Sequence, residues 1–95
     1  MTDRDATIRR ANEAQRLLDE PLLVETLAGL EAEAIKAWRD SDAADAKVRE
    51  LAYHDICAVE RLRKALRALV GDGHVAKTQI ARETALKDAE KRGQA

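Results

Sequence analysis

Leu23, Leu27, Leu30, Ala34 and Ala37 recur at alternating steps of four and three residues. That spacing is one face of an α-helix. Pro21 suits its first turn, and the polar patch Asp40-Ser41-Asp42 closes it, so a helix is predicted over about 21–39. Val24, Ile35 and Trp38 widen the stripe to one side, more than a single neighbouring helix requires. A second stripe follows: Val48, Leu51, Val59, Leu62, Leu66 and Leu69, with no Pro or Gly between Ala43 and Val70. It predicts a helix over about 43–70, capped by Ser41 or Asp42. Two such helices joined by a short polar loop predict an antiparallel helical hairpin, close in character to a coiled coil.

The flanks extend this picture. Thr2 or Asp3 caps a thinner helix over about 3–18, whose apolar positions are Ile8, Ala11 and Leu18. Asp19-Glu20-Pro21 stops that helix and starts the next. Gly71-Asp72-Gly73 reads as a helix end. Beyond it, about 74–92 is helical by propensity, with Glu83 and Lys87, and Asp88 and Arg92, spaced for ion pairs. Val75, Ile80 and Leu86 do not form a continuous stripe there. Residues 74–92 are therefore expected to be a helical extension, and 74–95 a solvated or flexible tail or one that orders on a partner. The expected fold class is all-α, with residues 1–95 forming a single helical domain.

Composition sharpens the expectation. With 95 residues the core is small, and chains of this size often gain stability by associating. Charged residues make up 37% of the chain but the net charge is -1, which disfavours a domain built to coat nucleic acid. The charge is unevenly shared. Residues 21–45 hold six acids and two bases, a net -4, whereas residues 46–70 hold six bases and three acids, a net +3. The arms of the hairpin are thus complementary, which favours one orientation more than it adds stability. Cys57 is the only cysteine, so no intrachain disulfide framework exists, and a reducing, cytoplasmic setting is expected. No signal peptide and no membrane-spanning segment is read from the apolar pattern.

Asp55 is the residue that breaks the pattern. At 100° per residue it falls within the second stripe, flanked by Leu51, Val59 and Leu62. A carboxylate buried there needs a partner. Arg4, Arg9, Arg10 and Arg16 of the first helix are candidates, and Thr26, Ala28 and Gly29 are expected to lie level with it on the opposite arm. The favoured reading is a carboxylate that fixes register in a core or interface. The competing ones are a general acid or base, and simple exposure where the register is shifted. Tyr53, His54 and Asp55 are consecutive on a helix and so point in different directions. Two histidines 20 residues apart and one cysteine make no metal-ligand spacing, and Cys57 is expected to face away from the stripe. Arg61, Arg63, Lys64 and Arg67 form a basic face, the best candidate for nucleic-acid contact, though it lacks interleaved aromatics. Trp38 is expected either to close the end of the core or to anchor a partner. No phosphate loop, nucleophile elbow or zinc-protease motif is present. All-helical chorismate mutases are as short, but no run of the form Arg-x-x-Ile-Asp opens the first helix here.

The segment from Arg10-Ala11-Asn12 through Leu17-Leu18-Asp19-Glu20-Pro21-Leu22-Leu23, then Leu30-Glu31 and Ile35-Lys36-Ala37-Trp38-Arg39, resembles short helical proteins encoded in phage and prophage regions. Those have an alanine-rich first helix, a Pro-Leu-Leu step and a Trp near the end of the next helix. Arg49-Glu50-Leu51 and Leu69-Val70-Gly71-Asp72-Gly73 fit the same layout, so the resemblance spans about 9–73. It implies a small accessory in virion assembly or DNA packaging, and no functional residue transfers with it.

Together these readings predict a non-enzymatic interaction or oligomerisation protein, without catalytic residues, metal or cofactor. Its partner is expected to be a second copy or another protein, met through Val24, Ile35, Trp38, Tyr53 and Asp55. Two alternatives are a nucleic-acid-associated regulatory module and a small helical enzyme centred on Asp55.

Overall fold

The computed structural model describes residues 2–93, and among them there are three α-helices and no strand. Helix α1 spans Asp3–Leu18, α2 spans Pro21–Asp40 and α3 spans Ala46–Gly93. The start of α1 is fixed by a reciprocal cap. The Asp5 backbone N–H donates to Thr2 Oγ1 at 3.1 Å, and the Thr2 backbone N–H donates to the Asp5 carboxylate at 3.1 Å. At its end, the Asp19 N–H reaches the Gln15 carbonyl and the Glu20 N–H reaches the Leu17 carbonyl. Pro21, with no N–H to satisfy, then opens α2. Five residues link α2 to α3, and the Asp45 carboxylate accepts the Val48 N–H at 3.4 Å to cap the long helix.

Helix α2 runs back along the first half of α3. Leu27 lies beside Leu66, Glu31 bonds Arg63, and Ala34 and Ala37 share a groove with Ala58 and Val59. Helix α1 runs back along the rest. Leu17 and Leu18 lie by Leu66, Ala11 lies on Gly73, and Arg4 pairs with Glu83 at 2.9 Å. Both short helices therefore pack on one long one and hardly on each other. The 48 residues of α3 account for about 72 Å at 1.5 Å each, and the molecule measures 78 × 24 × 19 Å. Its radius of gyration is 21.4 Å, against about 12 Å for a compact domain of this length.

The seam on α3 is Ala52, Ile56, Val59, Arg63, Leu66, Val70 and Gly73, each buried or half-buried, at alternating steps of four and three. This is coiled-coil spacing. Among the described residues the buried apolar side chains are Ala11, Ala14, Leu27, Ala34, Ala52, Val59 and Ala76, five of them alanines. A seam of small residues brings helix backbones close together but removes little apolar surface from water.

Three expectations are corrected. The second arm does not run over 43–70 and stop: α3 starts at Ala46 and continues unbroken through Gly71-Asp72-Gly73 to Gly93. Neither glycine there has a positive φ, so neither acts as a helix cap. Gly73 instead admits α1, since a Cβ on it would overlap the Cβ of Ala11. Residues 74–92 are therefore the continuation of α3, and α1 covers its first turns. Finally, the expected stripe is rotated from the true seam. Val59 and Leu66 belong to both, but Leu51 and Leu62 are 65% and 44% exposed.

Candidate interaction face

One long side of the α2–α3 pair carries the residues that the seam leaves out. A groove of about 480 Å³ is lined there by Leu30, Ala34 and Ala37 of α2 and by Asp55, Ala58 and Val59 of α3, with Glu33 at its edge. Along α3 the face continues as Val48, Asp55, Leu62 and Leu69, each seven residues from the last. At that interval successive side chains stack along one edge of a helix. Asp55 is thus the single polar member of an otherwise apolar line. Leu30 is 50% exposed, like much of this face, because both helices turn their seam residues toward each other and nothing covers their flanks.

A second hollow, beside the break between α1 and α2, is smaller and walled mainly by leucines. Leu17, Val24, Arg63, Leu66 and Arg67 line its volume of about 180 Å³. Arg63 Nη1 donates to Glu31 Oε2 at 2.6 Å and lies 3.8 Å from Glu60. Both partners of the short bond are half-buried, so it is stronger than an ordinary surface pair. Toward the end of the rod, Trp38 borders a shallow hollow with Arg49, Tyr53 and His54. The rings of Tyr53 and His54 stand 6.3 Å apart, tilted by 57°. Cys57, one turn on from Tyr53, is half-buried. Its hydrogen bond and the proximity of its ionisable thiol raise the Tyr53 phenol above its ordinary 10.0.

The sequence candidates therefore separate onto different surfaces. Val24 borders the hollow by the helix break, Ile35 is half-buried, and Trp38 and Tyr53 share the hollow at the rod's end. Trp38 is 50% exposed and so does not close the core. Asp55 alone lies in the larger groove. It is exposed rather than buried, and Ala37, not Thr26 to Gly29, is its neighbour on α2. The physical reason is register: with Glu31 level with Arg63, Asp55 falls near the far end of α2. Helix α1 ends beside Leu66, roughly 16 Å along α3 from Asp55, so the arginines of α1 do not cover it.

The proposed basic face also divides. Arg61 and Lys64 are exposed, Arg67 borders the hollow by Val24, and Arg63 turns inward to Glu31. Sequence reasoning placed Leu30 and Ala37 in the apolar stripe and passed over Glu33 and Ala58, and all four line the groove. The seven-residue recurrence from Val48 to Leu69 was the available signal for it.

Chemically this face offers apolar area and two carboxylates. Glu33 is the only other titratable group lining the Asp55 groove among the described residues, so the polar chemistry of the groove is that of two carboxylates. No group of three or more His, Cys, Asp or Glu among the described residues is arranged to hold a metal ion. Among the described residues no helix is long and apolar enough to cross a membrane. Comparison with protein-family models, with curated proteins and with solved structures finds no match to this chain.

Proposed function

We propose that this protein is a non-enzymatic helical assembly module, whose work is to bury its uncovered apolar flank against other helices. The observation that carries the reading is the surface. The chain exposes 7594 Å², whereas a compact monomer of 10.5 kDa exposes about 5,400 Å². The surplus includes eleven large apolar side chains, Leu51, Leu62 and Trp38 among them. A reducing cytoplasmic setting suits it, since Cys57 has no cysteine to pair with in its own chain. The resemblance of about 9–73 to phage and prophage accessory proteins supports a place in virion assembly or DNA packaging. Light scattering from micromolar to millimolar concentration tests the reading. Association is expected, and a strict monomer across that range overturns it.

Nucleic-acid contact is the second reading, favoured by the exposure of Arg61 and Lys64. It is the weaker one because Arg63 is engaged with Glu31 and Glu60. Binding through phosphates weakens steeply with salt. Anisotropy with a labelled duplex at about 50 mM salt decides it, and no binding there removes it. The enzyme reading has least support, because the Asp55 groove is open and holds only a second carboxylate, Glu33, beside it.

A further inference from the structure

We infer that the occupant of the Asp55 groove is a second copy of this chain, packed along the same face about a two-fold axis parallel to the rod. The inference rests on the assembly reading above and specifies its partner and its surface.

Area is the first argument. The exposed surface exceeds that of a compact monomer by about 2,200 Å². A standard stable interface covers about 800 Å² on each partner, and obligate homodimers cover more. Leu30, Leu51 and Leu62, 50%, 65% and 44% exposed, stand with Ala58 on one flank and are apolar side chains of the kind such an interface buries. The result is four helices in cross-section, two from each chain, an arrangement that encloses the core a two-helix rod lacks.

Charge is the second argument, and it selects the axis. On α3, Lys47, His54 and Arg61 recur every seven residues along the outer edge of the face. On α2, Glu33 and Asp40 recur at the same interval along its outer edge. Counting from the Glu31–Arg63 bond, Glu33 is level with Arg61 and Asp40 is level with His54. A two-fold axis parallel to the rod keeps every residue at its own level and places each α2 against the other copy's α3. Glu33 of one copy then faces Arg61 of the other, and Asp40 faces His54. Every neighbouring pair of helices is antiparallel, which also opposes their dipoles favourably. A two-fold axis across the rod would instead set acidic α2 on acidic α2, with like charges opposed. Arg61 reaches across because Ala58 and Ala65, beside it on α3, leave room.

Sedimentation equilibrium of the full chain tests this, with circular dichroism as the control for folding. The wild type is expected at twice 10.5 kDa. Glu33→Arg or Arg61→Glu alone should weaken the dimer about tenfold, since each places like charges together at two symmetry-related contacts. The double variant restores opposite charges across the axis and should return the dissociation constant to within about threefold of wild type. Leu62→Glu should abolish the dimer while helicity persists. If that variant loses its helicity, the charge swap decides alone. A chain that associates but ignores the swap overturns this face while leaving the assembly reading standing. Association beyond a dimer with the swap ineffective does the same, and a strict monomer overturns both.

Discussion

Gly73 lies directly on Ala11, so close that a Cβ on the glycine would occupy the space of the alanine's own Cβ. The Ala11 Cα is 3.6 Å from that position and the Thr7 carbonyl 3.7 Å. The atom that a Cβ would meet is the Ala11 Cβ, which is fixed to the backbone and has no rotamer to change. The α1–α3 packing is therefore closest where one methyl group is absent, and the buried positions of α1 are themselves small, Ala11 and Ala14.

Gly73→Ala should lower stability by about 1–3 kcal/mol, the cost of overpacking, less the roughly 1 kcal/mol that alanine returns in helix propensity. Gly71→Ala, two residues away, meets nothing within 4 Å and should raise stability by about 1 kcal/mol. Urea unfolding of the pair measures both. Equal effects would show that propensity alone matters and that the close approach does not.

This pair also shows how far the chain could be read from its residues. Pro21 and the Thr2 cap announce the start and end of α1 without reference to anything distant, because proline geometry and capping are local chemistry. A Gly-Asp-Gly run is locally identical whether it ends a helix or admits another backbone. Only the arrival of Ala11, more than 60 residues earlier in the chain, decides between them. The rotation of the seam has the same origin. Leucines dominate a helical wheel, yet close packing selected Ala52 and Gly73 and left Leu51 and Leu62 outside. Asp55 was visible as an interruption, but whether it faced the partner helix or its flank depended on that rotation.

Acid should loosen α1 first. The Thr2 hydroxyl donates to the Asp5 carboxylate at 2.9 Å and the Thr2 backbone N–H adds a second bond, so Asp5 titrates below its ordinary 3.8. A carboxylate with a depressed value in the fold stabilises it above its unfolded value, and that contribution is lost as pH falls through the folded one. The cap is thus fully effective above pH 3.8 and weakens below it. Amide hydrogen exchange in α1, followed through that range, should accelerate in the wild type. In Thr2→Ala the step should be much reduced, and an unchanged step would assign it to another group.

The Glu31–Arg63 bond should contribute a coupling of about 1 kcal/mol, above the usual surface pair because both side chains are half-buried. A double-mutant cycle with Glu31→Gln and Arg63→Met isolates it by denaturant unfolding. Since Glu60 lies 3.8 Å from the same guanidinium, part of the cost of Arg63→Met belongs to that second carboxylate. Only the cycle, and not either single variant, separates the two. A coupling near zero would mean that the register of α2 on α3 is set by Leu27, Ala34 and Val59 alone.

Asp55→Leu should strengthen association. The substitution completes the line Val48, 55, Leu62 and Leu69 and removes a carboxylate that an opposing copy must desolvate. Burying one leucine side chain contributes about 1.5–3 kcal/mol, so the dissociation constant should fall at least tenfold. The folded monomer should change little, because position 55 is exposed within a single chain. Association and monomer stability are therefore separable, the first by sedimentation across a dilution series, the second by unfolding at concentrations below the dissociation constant. An equal gain in both would mean that position 55 packs within its own chain. No gain in either would place the interface elsewhere. The expected pattern, tighter association on an unchanged monomer, identifies Asp55 as a residue that holds association below its maximum. A polar residue in an apolar seam has that effect, lowering affinity while excluding pairings that fail to give it a wet or charged neighbour.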